Sequence, residues 1–195
     1  HRLADGLRRA GSVAVVDETM LEVQLDECAT PLPFAAHLSR TVLVGSSSKS
    51  HWGGLRTGWL RAPAPLMPRL LQARIADDLG APLLEQLVLI ELLRHGHGLH
   101  PERRAELRAA RAVMESALPD AIPGSRWITP RGGLSLWVEL PEPRAAQLAA
   151  SALEEKLLVS PGPQFAVGHG LQRFVRLPYK DPADVVVDAM RRLGR

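Results

Sequence analysis

Two short apolar runs, each closing on residues that can do chemistry, constrain this chain more than any other feature. Ser12 to Val16 reads Ser-Val-Ala-Val-Val and is followed at once by Asp17 and Glu18. Thr41 to Val44 reads Thr-Val-Leu-Val and runs into Gly45-Ser46-Ser47-Ser48-Lys49. Short continuous apolar runs of this length are the pattern of strands buried in a parallel sheet. In open α/β sheets, ligands bind beyond the carboxyl ends of such strands. Thirty-two residues separate Asp17 from Lys49, room for one crossover between the two strands.

The rest of the chain fits an α/β grammar. His1 to Ala10 reads as a helix ended by Gly11, and its first residues look like the middle of an amphipathic helix, so further chain is expected upstream of His1. A third apolar strand is expected around Gly58-Trp59-Leu60. Helices are expected over Leu66 to Leu79 and Pro82 to Leu93, and the segment 96–101 reads as a linker. Beyond it come a helix from Pro101 to Leu118, a turn-rich stretch from Pro119 to Gly124, and a strand over Leu134 to Leu140. A helix from Pro143 to Leu157 and a strand over Phe174 to Leu177 follow, and a helix from Pro182 to Leu193 with Asp181 as its N-cap closes the chain. The expected division is therefore residues 1–97, the end of a larger mostly parallel sheet with its helices, and residues 98–195, a small α/β or α+β domain.

Composition excludes several classes. Of 195 residues, 46% are hydrophobic and 23% charged, which is globular composition. The longest apolar stretch, Ala81 to Leu93, is interrupted by Pro82, Glu85, Gln86 and Glu91, far short of a membrane span of roughly 18 residues. The single cysteine, Cys28, allows no internal disulfide, so a reducing cytoplasm is the expected setting. Of the 24 basic residues only Lys49, Lys156 and Lys180 are lysine, leaving 21 arginines. They are scattered along the chain, so the basic balance is weak evidence for nucleic-acid binding.

Lys49 is the first candidate for chemistry. A lysine in a polar loop is by default solvated. Covalent amine chemistry needs it to lose a proton near neutrality, from a reference of about 10.4, and burial or a neighbouring cation such as Arg56 can bring that about. Ser46 and Ser48 stand at alternate positions, so in an extended segment their hydroxyls share a side. Hydroxyls, loop N–H groups and an arginine are what a phosphate monoester requires. Asp17 at a strand end suits pairing with a protonated ring nitrogen; its plainer alternative is an aspartate that caps the next turn. His95, His97 and His100 lie in a Gly-rich linker with no cysteine or regularly placed carboxylate, and no metal site is expected. Trp52, Trp59, Trp127 and Trp137 read as packing residues and Cys28 as an inert thiol.

The stretch from Val44 to Trp59, with Ser-x-Ser-Lys followed by Gly-Leu-Arg-x-Gly-Trp, resembles the lysine segment of fold-type I, class I and II aminotransferases. Val15-Val16-Asp17-Glu18 is similar to that family's strand-end aspartate, and Arg131 to Pro141 to its small-domain glycine-aromatic strand. Val159 to Phe165 together with Arg173 to Tyr179 resembles its closing motif. The wording Asp-Glu-Thr and His-Trp-Gly-Gly-Leu-Arg is closest to MocR-type regulators, in which a GntR-type winged helix-turn-helix precedes an aminotransferase-like domain.

The resemblance implies the C-terminal part of the pyridoxal-phosphate-dependent transferase fold and roles for named residues. Lys49 would hold pyridoxal 5′-phosphate as a Schiff base, and Asp17 would bind the pyridine nitrogen. Ser46, Ser48 and Arg56 would hold the phosphate, and Arg176 would clamp the α-carboxylate of an amino acid. It also implies a homodimer, an amino acid or amine ligand, and DNA contact only through a module upstream of this chain. One departure stands out: many relatives carry a tyrosine about three residues after the aspartate, and here the residue is Met20. Three functions follow: the effector-sensing domain of a regulator, a free-standing aminotransferase, or a cofactor-free structural remnant.

Overall fold

A computed structural model of the chain describes residues 1–27, 32–78, 80–96 and 98–194. Cys28 and His97 lie outside the described residues. The chain forms two compact units, His1–His100 and Pro101–Arg195.

In the first unit, α1 (Arg2–Arg9) leads into β1 (Ala14–Asp17), which pairs in parallel with β2 (Thr41–Ser46). The register runs from Ala14 opposite Thr41 to Asp17 opposite Val44. β3 (Gly58–Arg61) adds antiparallel to the far side of β2, giving the order β1-β2-β3. Between β2 and β3 sits one short helical turn, α2 (Ser47–Ser50). Then come α3 (Met67–Asp77) and α4 (Leu83–His95). Ala4 of α1, Ala14 and Leu38 form a small buried cluster, with Leu7, Val16 and Phe34 packed against it. The Arg8 guanidinium bonds Asp5 at 2.5 Å and the carbonyl of His37 at 2.7 Å, which ties α1 to the chain leading into β2.

The two apolar runs behave differently. β2 is buried along most of its length, as its unbroken apolar sequence implies. β1 buries Ala14 but leaves Val15 72% exposed. The reason is position: among the described residues β1 is an edge strand with one neighbour, so a run that reads as buried on both faces is covered on one.

The second unit is an antiparallel sheet backed by helices. α5 (Pro101–Ala121) buries Leu107, Ala110, Arg111, Met114 and Leu118, the spacing of one helical face. α7 (Ala183–Leu193), which packs on α5, buries Val186 and Met190. The sheet order is β4 (Arg126–Trp127), β5 (Ser135–Glu139), β7 (Phe174–Pro178), β6 (Ser160–Pro161), and every pairing is antiparallel. α6 (Ala145–Glu154) connects β5 to β6. Strict alternation sorts the central strands: Leu136, Val138, Val175 and Leu177 point into the core, while Trp137 and Arg176 stand on the outward face.

Two sequence expectations fail here for local reasons. α5 does not stop at Leu118 but runs through Pro119 to Ala121, and Ile122 N–H still reaches the Leu118 carbonyl at 2.8 Å. A proline so near the helix end removes its own N–H and leaves the following bonds intact. Asp181 is not the cap of α7: Pro182 occupies that position without a side-chain cap bond, and the Asp181 carboxylate meets Lys180 Nζ at 3.6 Å. The short strands β4 and β6, two residues each, were not expected from sequence.

Candidate cofactor site

The in-register parallel pairing of β1 and β2 sets the site. Asp17 is opposite Val44, and the Glu18 N–H extends the ladder onto the Val44 carbonyl at 2.9 Å. Adjacent strands lie about 4.8 Å apart, so the Asp17 backbone and the chain entering Ser46 leave the sheet side by side at its carboxyl end. The turn after β1 is fixed by its own bonds. Thr19 N–H donates to Asp17 Oδ1 at 2.9 Å, and Phe34 N–H donates to Glu18 Oε1 at 3.2 Å. The Thr19 backbone N–H first, and its hydroxyl second, hold the exposed Asp17 carboxyl below the usual carboxylate range, with a small opposing effect from burial. Asp17 is thus both the turn-capping aspartate of the plainer alternative and a stable anion at a strand end.

After β2 the geometry departs from expectation. The serine loop is not extended past Ser46. Ser46 is the last extended residue, at φ −151 and ψ 136, and its Oγ accepts from Ser48 N–H at 3.2 Å as the N-cap of α2. Serine is a strong N-cap because its hydroxyl satisfies an otherwise unpaired helix donor. The helical turn then divides its members by face. Ser47 and Ser50, three apart, are buried, and the Ser47 hydroxyl donates to the Thr57 carbonyl at 2.8 Å. Ser48 is half-buried and Lys49 is exposed.

Arg56 follows in the left-handed region, at φ 50 and ψ 20, and is exposed. Neither Lys49 nor Arg56 has a carboxylate in ion-pair range among the described residues. Lys49 thus stands on the α2 turn with Ser46 and Ser48, and Arg56 closes the next 3-10 turn, Gly53–Leu55. Trp59 explains why Gly45 must be glycine: its indole lies against the strand where a Cβ on Gly45 would be 2.4 Å from Cε2 and Nε1. Trp59 lines, with Thr19, Leu21, Ser46 and Arg61, a recess of about 260 Å³ beside the strand end.

Arg176 belongs to the second unit. It stands on the outward face of β7, opposite Trp137 of β5. Its Nη2 is 3.5 Å from Ser160 Oγ, and its guanidinium carbon lies 4.8 Å from the centre of the Phe165 ring. The pairing puts Arg176 on the outward face with Trp137 and Phe174. Arg173 instead bonds the Pro141 carbonyl. Sequence reasoning did not single out Thr19, Ser160 or Phe165. The signal for Phe165 was its place in the closing motif, but its contact with Arg176 is made across the sheet and has no sequence spacing.

Among the described residues no group of three or more His, Cys, Asp or Glu side chains could hold a metal. No helix among them is long and apolar enough to cross a membrane.

A parallel strand pair ending in an acid and a serine-lysine turn, followed by a small antiparallel unit, is the architecture of the class I and II aminotransferase fold. The model of the aminotransferase class I and II family matches residues 1–191, and the chain belongs to that family. It is 32% identical over 202 residues to the 2-aminoadipate transaminase of Thermus thermophilus, covering 100% of this chain and 51% of that protein. It is 30% identical to the HTH-type transcriptional regulator YdfD of Bacillus subtilis, over 85% of this chain and 35% of the regulator. It is 32% identical to the HTH-type regulator TauR of Rhodobacter capsulatus, over 80% and 33% respectively.

The crystal structure of LysN, the α-aminoadipate aminotransferase of Thermus thermophilus complexed with N-(5′-phosphopyridoxyl)-L-leucine, superposes with a TM-score of 0.88. The identity is 32%, over 100% of this chain and 52% of LysN. An archaeal alanine:glyoxylate aminotransferase at 22% identity shares the fold, with a TM-score of 0.88. The chain spans about a third to a half of the length of the curated relatives it matches.

Proposed function

We propose that this chain binds pyridoxal 5′-phosphate, with Lys49 as the residue bonded to it, and takes an amino acid or amine as ligand. The observation that carries the reading is the register of β1 on β2, which sends Asp17 and the Ser46–Lys49 turn out of the same end of adjacent strands. The donor set fits the group. A phosphate monoester is matched by the Ser46 and Ser48 hydroxyls and the unpaired Arg56 guanidinium. A protonated pyridine nitrogen is matched by a carboxylate already held as an anion. When bound, the cofactor supplies an electron-withdrawing ring that stabilises negative charge on the carbon beside the ligand nitrogen. The chain's residues do the rest. Asp17 would keep the ring nitrogen protonated, and Lys49 would provide the covalent anchor and, once displaced by the ligand's amine, a base for proton transfer at that carbon. Arg176 pairs with the ligand carboxylate.

Within this reading the chain is the effector-sensing part of a GntR/MocR-type transcription regulator, working in the cytoplasm as a homodimer and reaching DNA through an upstream module. Support comes from the regulators among its relatives and from Met20, which offers no hydroxyl where the family pattern has a tyrosine. The second reading, a free-standing aminotransferase, is favoured by the match to a 2-aminoadipate transaminase over the whole chain.

Reconstitution with pyridoxal phosphate tests the first claim. The wild-type protein is expected to gain a visible absorption band and a borohydride-fixed adduct on Lys49, and Lys49→Ala to lose both. A band that survives Lys49→Ala refutes the assignment, and no band at all leaves the cofactor-free remnant. Adding 2-aminoadipate separates the other two readings, because a sensor shifts the spectrum without releasing an oxo acid and an aminotransferase releases one.

A further inference from the structure

An arginine on an outward sheet face is a poor receptor by itself, since its four side-chain torsions cost up to about 2 kcal/mol to order. Arg176 is not left in that condition. Its guanidinium carbon lies 4.8 Å from the centre of the Phe165 ring, within cation–π range. The ring is itself braced. Trp137 meets Phe165 edge-on at 5.7 Å and 77°, and stacks on Phe174 at 5.5 Å and 8°. Trp137 is also the residue directly opposite Arg176 across the strand pair.

Phe165 is delivered by the short 3-10 turn Gly162–Phe165. That turn is seated on backbone: a Cβ on Gly162 would lie 2.3 Å from the Leu171 carbonyl oxygen and 2.8 Å from that of Phe174. Arg176 Nη2 also donates to Ser160 Oγ at 3.5 Å. The nearby acid on the same face, Glu139, is paired with Arg126 at 3.2 Å, and no carboxylate lies in ion-pair range of Arg176 among the described residues.

We propose that Phe165 is a positioning residue for Arg176, holding the guanidinium over its ring so that the fork is preset to receive a ligand carboxylate. This rests on the reading of Arg176 as the ligand-carboxylate residue, and the experiment separates the two.

In the isotope-labelled chain, the Arg176 side-chain resonances are expected to be displaced upfield by the ring. The displacement should vanish in Phe165→Leu and persist in Phe165→Tyr. Its absence in the wild-type protein overturns the proposal. Titration with propionate, a bare carboxylate probe, followed at the backbone amides of Val175 and Ser160, should weaken about two- to fivefold in Phe165→Leu and recover in Phe165→Tyr. Gly162→Ala, which displaces the turn without touching the guanidinium, should weaken it as well. If Arg176→Gln leaves propionate binding unchanged, the functional reading of Arg176 fails. If Arg176→Gln abolishes binding while Phe165→Leu binds as wild type, the arginine reading stands and the positioning role is refuted.

Discussion

The contact between Gly45 and Trp59 allows a perturbation whose size can be worked out beforehand. An alanine at position 45 puts its methyl 2.4 Å from Trp59 Cε2 and Nε1 and 2.7 Å from Cζ2. Carbon atoms prefer about 3.5–4.0 Å, so the indole must withdraw by about 1 Å or more, or the strands must part. The backbone offers no other obstacle, because Gly45 is not among the positive-φ glycines. Trp59 is 45% exposed, so a little over half of a side chain that buries about 150–250 Å² is at stake. At about 25 cal/mol per Å², complete loss of that cover costs about 2–3 kcal/mol, and partial relaxation brings the expected cost of Gly45→Ala to about 1–3 kcal/mol.

Urea unfolding followed by far-ultraviolet circular dichroism measures this cost. In a double-mutant cycle, Gly45→Ala in a Trp59→Ala background should cost within about 0.5 kcal/mol of nothing, since the clash has gone. An undiminished cost in that background would mean that the glycine is required by the backbone, and the packing argument would be wrong.

Other outcomes follow from the same geometry. By carbon-13 NMR titration, Asp17 is expected to titrate below an ordinary aspartate, and Thr19→Ala to raise its pKa only in part, because the larger cause is the Thr19 backbone N–H, which remains. The sign for stability is that of a depressed carboxylate: the Asp17–Thr19 turn is fully stabilising above the unfolded pKa and loses that contribution as pH falls through the folded one. Leu136→Ala, at a fully buried position in the C-terminal sheet, should destabilise by about 2–5 kcal/mol in chemical denaturation. Asp181→Asn should change stability by less than about 1 kcal/mol, because its pair with Lys180 is solvent-exposed and it caps nothing.

What the sequence disclosed and what it withheld divide along a physical line. The ends of β1 and β2 were legible because apolar runs stop where the chain leaves the sheet, so Asp17 and the Ser46–Lys49 turn could be placed at strand ends from residue order alone. The weak alternation from Leu134 to Leu140, ending at Pro141, marked a strand in the same way, and β5 forms within it. The Ser46 cap was not legible, because an extended and a capped serine have the same sequence. The difference lies in whether Ser48 N–H finds the Ser46 hydroxyl, a choice made by the burial of Ser47 and Ser50 three residues apart. The exposure of Val15 was hidden too, since burial on the second face depends on a neighbour that no local run can announce. The Phe165–Arg176 contact is longer in range still, created by the pairing of β6 and β7 and the seating of Gly162.

The Ser46 cap also changes how the candidate site works as chemistry. An extended loop would have offered both hydroxyls to a phosphate on equal terms. The capped turn commits Ser46 Oγ as acceptor to Ser48 N–H, which leaves its own proton directed away from that bond and free to donate to an anion. Asp17 shows the converse arrangement. Its Oδ1 is committed to Thr19 N–H, and the Thr19 hydroxyl adds a second, smaller stabilisation of the charge. In both residues a local backbone bond takes up part of the hydrogen-bonding capacity. In the proposed site the Ser46 hydroxyl would be the donor to a phosphate and the Asp17 carboxylate the acceptor for a protonated nitrogen, with neither residue fully buried.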